Sequence, residues 1–151
     1  MHTSPEPATV RIRLTEEHDA AAIAELSGQL GYPATAEQIV ERLRSLSPPS
    51  HHAVFVAESP EGNVIGWIHA SVQLLLETGM RAEVNGLVVA ENHRGSGAGA
   101  RLLAEAEEWA RSRGCPMINL RSNVVRERAH QFYLLNGYEH YKTQKAFRKR
   151  L

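Results

Sequence analysis

Three glycines at alternate positions, placed where a strand-like segment meets a helix-like one, constrain this fold more than any other feature of the chain. Residues 82–89 have the composition of a strand, and Gly95, Gly97 and Gly99 follow shortly after them. The next segment carries its apolar side chains on one helical face: Leu102, Leu103, Ala106 and Ala110. Glycine lets successive backbone amides converge, and the start of a helix adds the positive end of its dipole. We therefore predict that this unit seats a phosphate or pyrophosphate, in preference to the alternative of a flexible surface loop.

The sequence around this unit predicts one α/β domain. Alternation and short apolar runs predict six strands: residues 10–14, 53–58, 64–76, 82–89, 117–122 and 138–148. Helical spacing predicts four helices: between Asp19 and Gly31, between Thr35 and Ser47, between Gly99 and Gly114, and over residues 126–136. One β–α–β crossover makes the fourth and fifth strands parallel neighbours in a mixed sheet with helices on both faces. We expect residues 1–9 to be a flexible N-terminus and residues 10–151 to form the single domain.

Charge and composition narrow the class of protein. The chain has 17 basic and 17 acidic side chains, so no global basic excess favours nucleic-acid binding. No apolar run is long enough to span a bilayer. Cys115 is the only cysteine, which excludes an internal disulfide framework and suits a reducing compartment. We expect a cytoplasmic protein that binds neither nucleic acid nor membrane.

The glycine loop does not match two common phosphate-binding patterns. A dinucleotide-binding loop requires Gly-x-Gly-x-x-Gly, and a Walker loop ends in Gly-Lys-Ser or Gly-Lys-Thr, whereas here Gly99 is followed by Ala100 and Arg101. The loop resembles instead the acetyl-CoA motif of the GCN5-related N-acetyltransferase (GNAT) superfamily, Arg/Gln-x-x-Gly-x-Gly/Ala. Arg94, Gly97 and Gly99 fill that motif in order.

The resemblance extends over nearly the whole chain. Residues 82–89 are similar to the family's fourth strand, and Asn123, residues 129–133 and Gly137-Tyr138 are similar to the segment after its fifth strand. The resemblance implies a mixed, mostly antiparallel sheet of six to seven strands with splayed fourth and fifth strands. It implies acetyl-CoA as cosubstrate and no metal. The implied cofactor-binding residues are Leu87, Val88, Val89, Arg94, Gly95, Ser96, Gly97, Ala98, Gly99, Ala100, Asn123, Ala129, Phe132 and Tyr133.

The resemblance also supplies candidates for catalysis. Tyr133 matches the family's general acid toward the departing thiolate, although helical spacing alone would make it a core tyrosine. Glu83 is the candidate general base, and an exposed strand glutamate is an equal alternative. Glu77 is a weaker substitute for that base. Tyr32, Glu77 and Glu83 are expected to contact the acceptor. His69 either contacts the substrate or is a packed or solvent-exposed histidine.

The function implied is direct transfer of the acetyl group of acetyl-CoA to a primary amine of a small molecule. The segment that begins at Leu30-Gly31-Tyr32 is similar to its counterpart in small-amine acetyltransferases, so an aminoglycoside-like, aminoalkylphosphonate-like or other amine is the expected partner. Two alternatives stay open. One is a non-catalytic acetyl-CoA-binding sensor or interaction module, and the other is a protein or peptide N-acetyltransferase. A homodimer stays open as the assembly.

Overall fold

The computed structural model of the chain describes residues 9–151. Its strands are β1 Arg11–Leu14, β2 His52–Glu58, β3 Val64–Leu75, β4 Gly79–Val89 and β5 Ile118–Leu120. Its α-helices are α1 Ala20–Leu30, α2 Ala36–Ser45, α3 Ala98–Ser112 and α4 Glu127–Leu135. The strands form one sheet in the order β1-β2-β3-β4-β5. All neighbours are antiparallel except β4 and β5, which are parallel. The predicted N-terminal segment, apart from Thr9, lies outside the described residues.

The described chain divides into two compact units after Leu120. The first unit holds the whole sheet and helices α1 to α3, and the second, Arg121–Leu151, holds α4. No helix among residues 9–151 is both long enough and apolar enough to cross a membrane.

Helices cover both faces of the sheet, as predicted. On one face, which we call the α3 face, Ala82 of β4 packs in a buried cluster with Ala110 of α3. On the opposite face, which we call the α1/α2 face, Val56 of β2 packs against Ile23 of α1 and Ile39 of α2. Because side chains alternate along a strand, the residues on either side of Ala82 belong to the α1/α2 face.

Two helix ends form as the sequence predicts. Thr35 and Gln38 make a reciprocal capping box at the start of α2, with bonds of 3.0 and 3.1 Å. Gly31 ends α1 in the left-handed conformation, at φ +98°. The predicted helix boundaries at these two residues are therefore confirmed.

The sixth predicted strand, residues 138–148, is not present. These residues form no strand, and most of them are exposed. An alternating sequence becomes a strand only where a neighbouring strand completes the hydrogen-bonded ladder, and the sheet found in residues 9–151 ends at β5. The expected count of six to seven strands is therefore wrong, and the sheet has five.

Asp19 holds the start of α1 to β1 through an ion pair. The sequence suggested Asp19 as an N-cap, but its side chain makes no capping bond to α1. Its carboxylate, only 3% exposed, instead accepts two hydrogen bonds from the Arg13 guanidinium, each 2.8 Å long. It also accepts a 2.8 Å bond from the Glu16 amide. The pair joins the sheet to the first helix.

We expect Asp19→Asn to lower the free energy of unfolding by about 3 kcal/mol near neutral pH, because the Arg13 guanidinium then loses the more buried of its two carboxylate partners and keeps only Glu58. Hydrogen bonding from Arg13 holds the pKa of Asp19 below its usual value. The carboxylate therefore contributes stability above the unfolded-state pKa of about 3.9, and this stability is lost as the pH falls through the folded-state pKa. Urea unfolding of both proteins at neutral and acid pH should show the difference shrinking in acid.

The matched control for this experiment is Glu17→Gln, which breaks an exposed ion pair with Arg44. Exposed pairs contribute little to stability, so this variant should unfold almost as the wild type does. A stability difference for Asp19→Asn that stays constant down to the acid limit would contradict the role given to the carboxylate.

Candidate active site

A β-bulge in β4 begins the candidate site. His69 of β3 pairs with Gly86, whereas the next residue of β3, Ala70, pairs with Val84, so Asn85 is an extra residue on β4. A bulge bends its strand and increases the local twist. The pairing between β4 and β5 covers only residues 82–84, and it stops just before this bulge. The pairing of the two parallel strands therefore ends where β4 bends.

The bulge also changes which backbone groups of β4 face the gap. Before it, the Ala82 amide points toward β5, since it donates to the Met117 carbonyl at 2.9 Å. After it, the Ala90 amide points toward β3 and donates to the Ile65 carbonyl at 2.7 Å. Alternate residues of a strand direct their polar backbone groups to opposite sides. The amide and carbonyl groups of the odd-numbered residues between, Leu87 and Val89, therefore point to the β5 side.

No strand within residues 9–151 pairs with this part of β4 on the β5 side. A strand edge with unpaired amides and carbonyls is a template for an extended ligand. Leu87 and Val89 are half-buried, and Val88 between them is buried on the α1/α2 face. This stretch of β4 therefore has an edge without a neighbouring strand, which agrees with the strand separation that the resemblance implies.

The loop after β4 passes twice through left-handed backbone. A short 3₁₀ turn, Glu91–His93, leads to exposed Arg94, and then Gly95 and Gly97 adopt φ values of +87° and +85°. Residues with a Cβ rarely adopt such values. Gly97 is the N-cap of α3. Two of the three glycines are thus explained by backbone geometry.

The first turn of α3 presents to this loop backbone amides that have no acceptor within the helix. The first helical hydrogen bond runs from the Arg101 amide to the Gly97 carbonyl, 3.1 Å away. The amides before it have no acceptor within the helix, as at any helix N-terminus. They belong to Ala98, Gly99 and Ala100. The Ala98 amide donates a 3.3 Å hydrogen bond to the Ser96 hydroxyl. A helix N-terminus that follows a glycine loop in this way suits the binding of a pyrophosphate.

Glu83 lies on the α1/α2 face of β4, next to the bulge. It is 5% exposed, so the alternative of an exposed strand glutamate does not describe it. Its partner across β3 is Ser71, which is 4% exposed and donates a 2.7 Å hydrogen bond to the amide oxygen of Asn85. The candidate base therefore belongs to a polar patch within the sheet.

His69 completes this patch together with His52 of β2. The two rings are hydrogen-bonded at 3.0 Å between Nδ1 of His52 and Nε2 of His69, and they stack with centroids 5.3 Å apart. Burial, with the nearby His52, lowers the pKa of His69 to about 4, so its ring is neutral near pH 7. No group of three or more histidines, cysteines or carboxylates among residues 9–151 is arranged to hold a metal ion.

The second unit carries Tyr133 on α4. Its ring is half-buried and meets the Tyr138 ring edge-on, with centroids 6.0 Å apart. Burial raises the pKa of the Tyr133 hydroxyl, with a smaller opposing effect of Arg126. The hydroxyl therefore keeps its proton at neutral pH, as a general acid must before it acts.

The other candidates of this unit have local roles in the structure. The Asn123 side chain accepts a 3.2 Å hydrogen bond from the Val125 amide, and its carbonyl is bonded to the His130 ring at 2.9 Å. Asn123 thus organises the turn before α4. Ala129 and Phe132 are half-buried on that helix.

Two acceptor-contact candidates lie on exposed surface. The Tyr32 side chain, just after α1, is 71% exposed. Glu77 is exposed in the turn between β3 and β4. Both side chains are exposed and could contact a substrate. Glu77, unlike Glu83, does not lie in a buried environment. The geometry favours Glu83 over Glu77 for that role.

Sequence reasoning missed several residues of the polar patch. They are Ser71, Arg81 and Asn85, together with the pairing of His52 to His69. Arg81 was overlooked because the predicted strand began at residue 82, whereas β4 begins at Gly79. The signal was present, since a strand residue two positions before Glu83 shares its face.

Comparison with known families and proteins gives consistent matches. The sequence profile described as the acetyltransferase (GNAT) family matches residues 14–138. The chain is 35% identical to the aminoalkylphosphonate N-acetyltransferase of Salmonella typhimurium over 91% of this chain and 90% of that protein. It is 27% identical to an aminoglycoside N(6')-acetyltransferase type 1 of Klebsiella aerogenes, over 90% of this chain and 80% of that protein.

A solved structure shows the same fold. The aminoglycoside N-acetyltransferase AAC(6')-Iy, in complex with CoA, superposes with a TM-score of 0.83 at 19% identity. The match covers 99% of this chain and 100% of that one.

Proposed function

This chain belongs to the acetyltransferase (GNAT) family, and we propose that it is an N-acetyltransferase that moves the acetyl group of acetyl-CoA directly to a primary amine of a small molecule. The two relatives named above are both N-acetyltransferases, of aminoalkylphosphonates and of aminoglycosides.

The single observation that carries this function is the edge of β4 that no strand within residues 9–151 pairs with on the β5 side. The unpaired backbone groups of Leu87 and Val89 point to the side where β5 has ended. An amide-containing arm such as pantetheine could pair there as an extra strand, while the amides at the start of α3 take its pyrophosphate. Gly97 and Ala98 place those amides at the end of the loop that follows β4, so one continuous segment of the chain could bind both parts of the ligand.

Acetyl-CoA supplies an activated acetyl thioester, and the chain's own groups handle its charges. The Val89 backbone amide, in this proposal, donates to the thioester carbonyl oxygen and stabilises the negative charge that develops there. The acceptor nitrogen attacks the carbonyl carbon, and the carbon–sulfur bond breaks. Tyr133 gives its hydroxyl proton to the departing sulfur, and Glu83 takes the proton that the amine must lose.

The assignment of Glu83 as base is supported by its position. It lies four residues before Leu87 on the same strand, on the face that carries Ser71 and the histidine pair. A protonated amine has no lone pair for attack, so a carboxylate on this face has a chemical task. The polar patch is therefore the proposed acceptor side of the sheet.

The proposed function is tested by a panel of acceptors assayed for release of free CoA thiol. The panel should hold 2-aminoethylphosphonate, an aminoglycoside, a simple alkylamine and a lysine-containing peptide. We expect release with a small amine. Acetyl-CoA binding without release by any acceptor would identify a non-catalytic sensor, and release with the peptide alone would identify a protein acetyltransferase.

We expect Tyr133→Phe to reduce turnover by ~10-fold or more while acetyl-CoA affinity stays unchanged, because only the acidic hydroxyl is removed. Steady-state kinetics with a good acceptor, together with calorimetry for acetyl-CoA, measures both quantities. Tyr141→Phe is the control, since this ring is 62% exposed on the same unit. Unchanged turnover in Tyr133→Phe would leave Tyr133 as a packing residue.

We also infer a cytoplasmic location, supported by a single, buried cysteine, Cys115, which suits a reducing compartment. A homodimer stays open as the assembly, and sedimentation velocity would test it.

A further inference from the structure

Arg81 lies on the same face of β4 as the proposed base. Its neighbour Ala82 is fully buried against the α3 face, so Arg81 and Glu83 both belong to the α1/α2 face. Across β3 their partners are Gln73 and Ser71. A cation and a carboxylate thus stand two residues apart on one strand, within the polar patch.

The Arg81 guanidinium carries a buried donor that the protein does not satisfy. Its Nε is buried and makes no hydrogen bond within residues 9–151. A buried donor without an acceptor costs free energy, and more so on a charged group. The guanidinium fork matches the oxygens of a phosphonate, phosphate or carboxylate better than any neutral acceptor. Arg81 as a whole is only half-buried, so an anionic ligand group could contact the guanidinium at its exposed part and supply the missing counter-charge.

The spacing on the strand fits a short zwitterion. The Cα atoms of residues two apart on a strand are separated by ~6.7 Å. Side chains on this spacing could contact the two ends of one small molecule that has an ammonium at one end and an anion at the other. The neighbouring His69 is neutral near pH 7 and adds no competing charge. The ammonium would approach Glu83, and the anion would approach Arg81.

We propose that Arg81 binds an anionic group on the acceptor and so selects small zwitterionic amines over amines without an anion. This inference rests on the proposed function, whose acceptor class it narrows. The inference distinguishes aminoalkylphosphonate-like acceptors from aminoglycoside-like acceptors, because an aminoglycoside carries several cations and no anion.

The test compares acceptors that differ only in the anion. The kcat/KM of the full-length enzyme is measured with 2-aminoethylphosphonate, with β-alanine as its carboxylate counterpart, and with propylamine. We expect wild type to prefer an anionic acceptor, and Arg81→Gln to lower kcat/KM for that acceptor ~100-fold, mainly through KM, while propylamine changes less than ~3-fold. Comparison of the phosphonate with the carboxylate shows which anion is the better ligand.

Two further variants guard against a purely structural effect. Arg81→Lys keeps the charge and loses the fork, so it should fall between wild type and Arg81→Gln, even if the glutamine variant folds poorly. Arg11→Gln changes an exposed arginine on β1 and should behave as wild type. Acetyl-CoA affinity should be equal in all of them.

The outcomes are distinct. An equal loss of kcat/KM for all three acceptors, or no loss for any, would overturn the role of Arg81 while leaving the acetyltransferase reaction intact. Preference of wild type for propylamine would overturn it as well. A wild-type protein that releases CoA with none of the acceptors would contradict the proposed function itself, and the inference with it.

Discussion

Gly97→Val should lower the affinity for acetyl-CoA by ~100-fold or more. Gly97 sits at φ +85° as the N-cap of α3, a conformation that costs a β-branched residue ~1–3 kcal/mol. The loop escapes that strain by changing its path, and the first-turn amides then no longer converge on the pyrophosphate. The added side chain also occupies the exposed surface where the ligand would approach. Isothermal titration calorimetry measures the affinity directly.

Gly62→Val is the matched control for this prediction. Gly62 lies in the turn between β2 and β3 at φ +87°, with open space where a Cβ would stand. The backbone strain is therefore comparable, but the position is not part of the loop. Gly62→Val should lose stability and keep acetyl-CoA affinity. Unchanged affinity in Gly97→Val would remove the pyrophosphate assignment.

Glu83→Gln should depress kcat/KM near neutral pH by ~100-fold, because the amide cannot take the proton that the acceptor ammonium must lose before its nitrogen attacks. The loss should shrink at high pH, where the amine is already neutral without help. Glutamine keeps nearly the size and hydrogen-bonding capacity of the side chain beside Ser71, so the packing of the patch is preserved. The measurement is a pair of pH–rate profiles with one amine of known pKa.

The control for Glu83 is Glu77→Gln, since Glu77 is exposed in the turn before β4 and should affect the rate little. Profiles of wild type and Glu83→Gln that run parallel would place the base elsewhere. A raised KM with unchanged kcat at every pH would instead make Glu83 a substrate-docking residue.

The strand–loop–helix unit could be predicted because its determinants are local. Gly95 and Gly97 require left-handed backbone, and the apolar stripe of the following helix has a period that the sequence displays directly. The capping box at Thr35 is equally local, as four consecutive residues contain it. Each of these features depends on residues that are neighbours in the chain.

The polar patch depends on register, which the sequence does not display. Asn85 reads as an ordinary strand residue, and only the pairing of β3 with β4 makes it a bulge. From the sequence alone, Gly86 is an unfavourable residue for a strand. In the structure a Cβ at this position would lie 2.8 Å from the ring of Trp67, so only glycine fits beside that ring. The missing sixth strand has the same cause, since residues 138–148 alternate correctly but a strand also needs a neighbour.

The bulge at Asn85 makes the ligand-binding edge a matter of register rather than of residue type. Because Asn85 is an extra residue without a partner on β3, the backbone groups of Leu87 and Val89 point away from β3. If Asn85 instead took a regular place in the ladder, every later residue of β4 would shift by one position, and the backbone groups of Leu87 and Val89 would turn toward β3. Deleting Asn85 would keep the pairing of the later residues and would remove only the bulge, together with the bend that it causes.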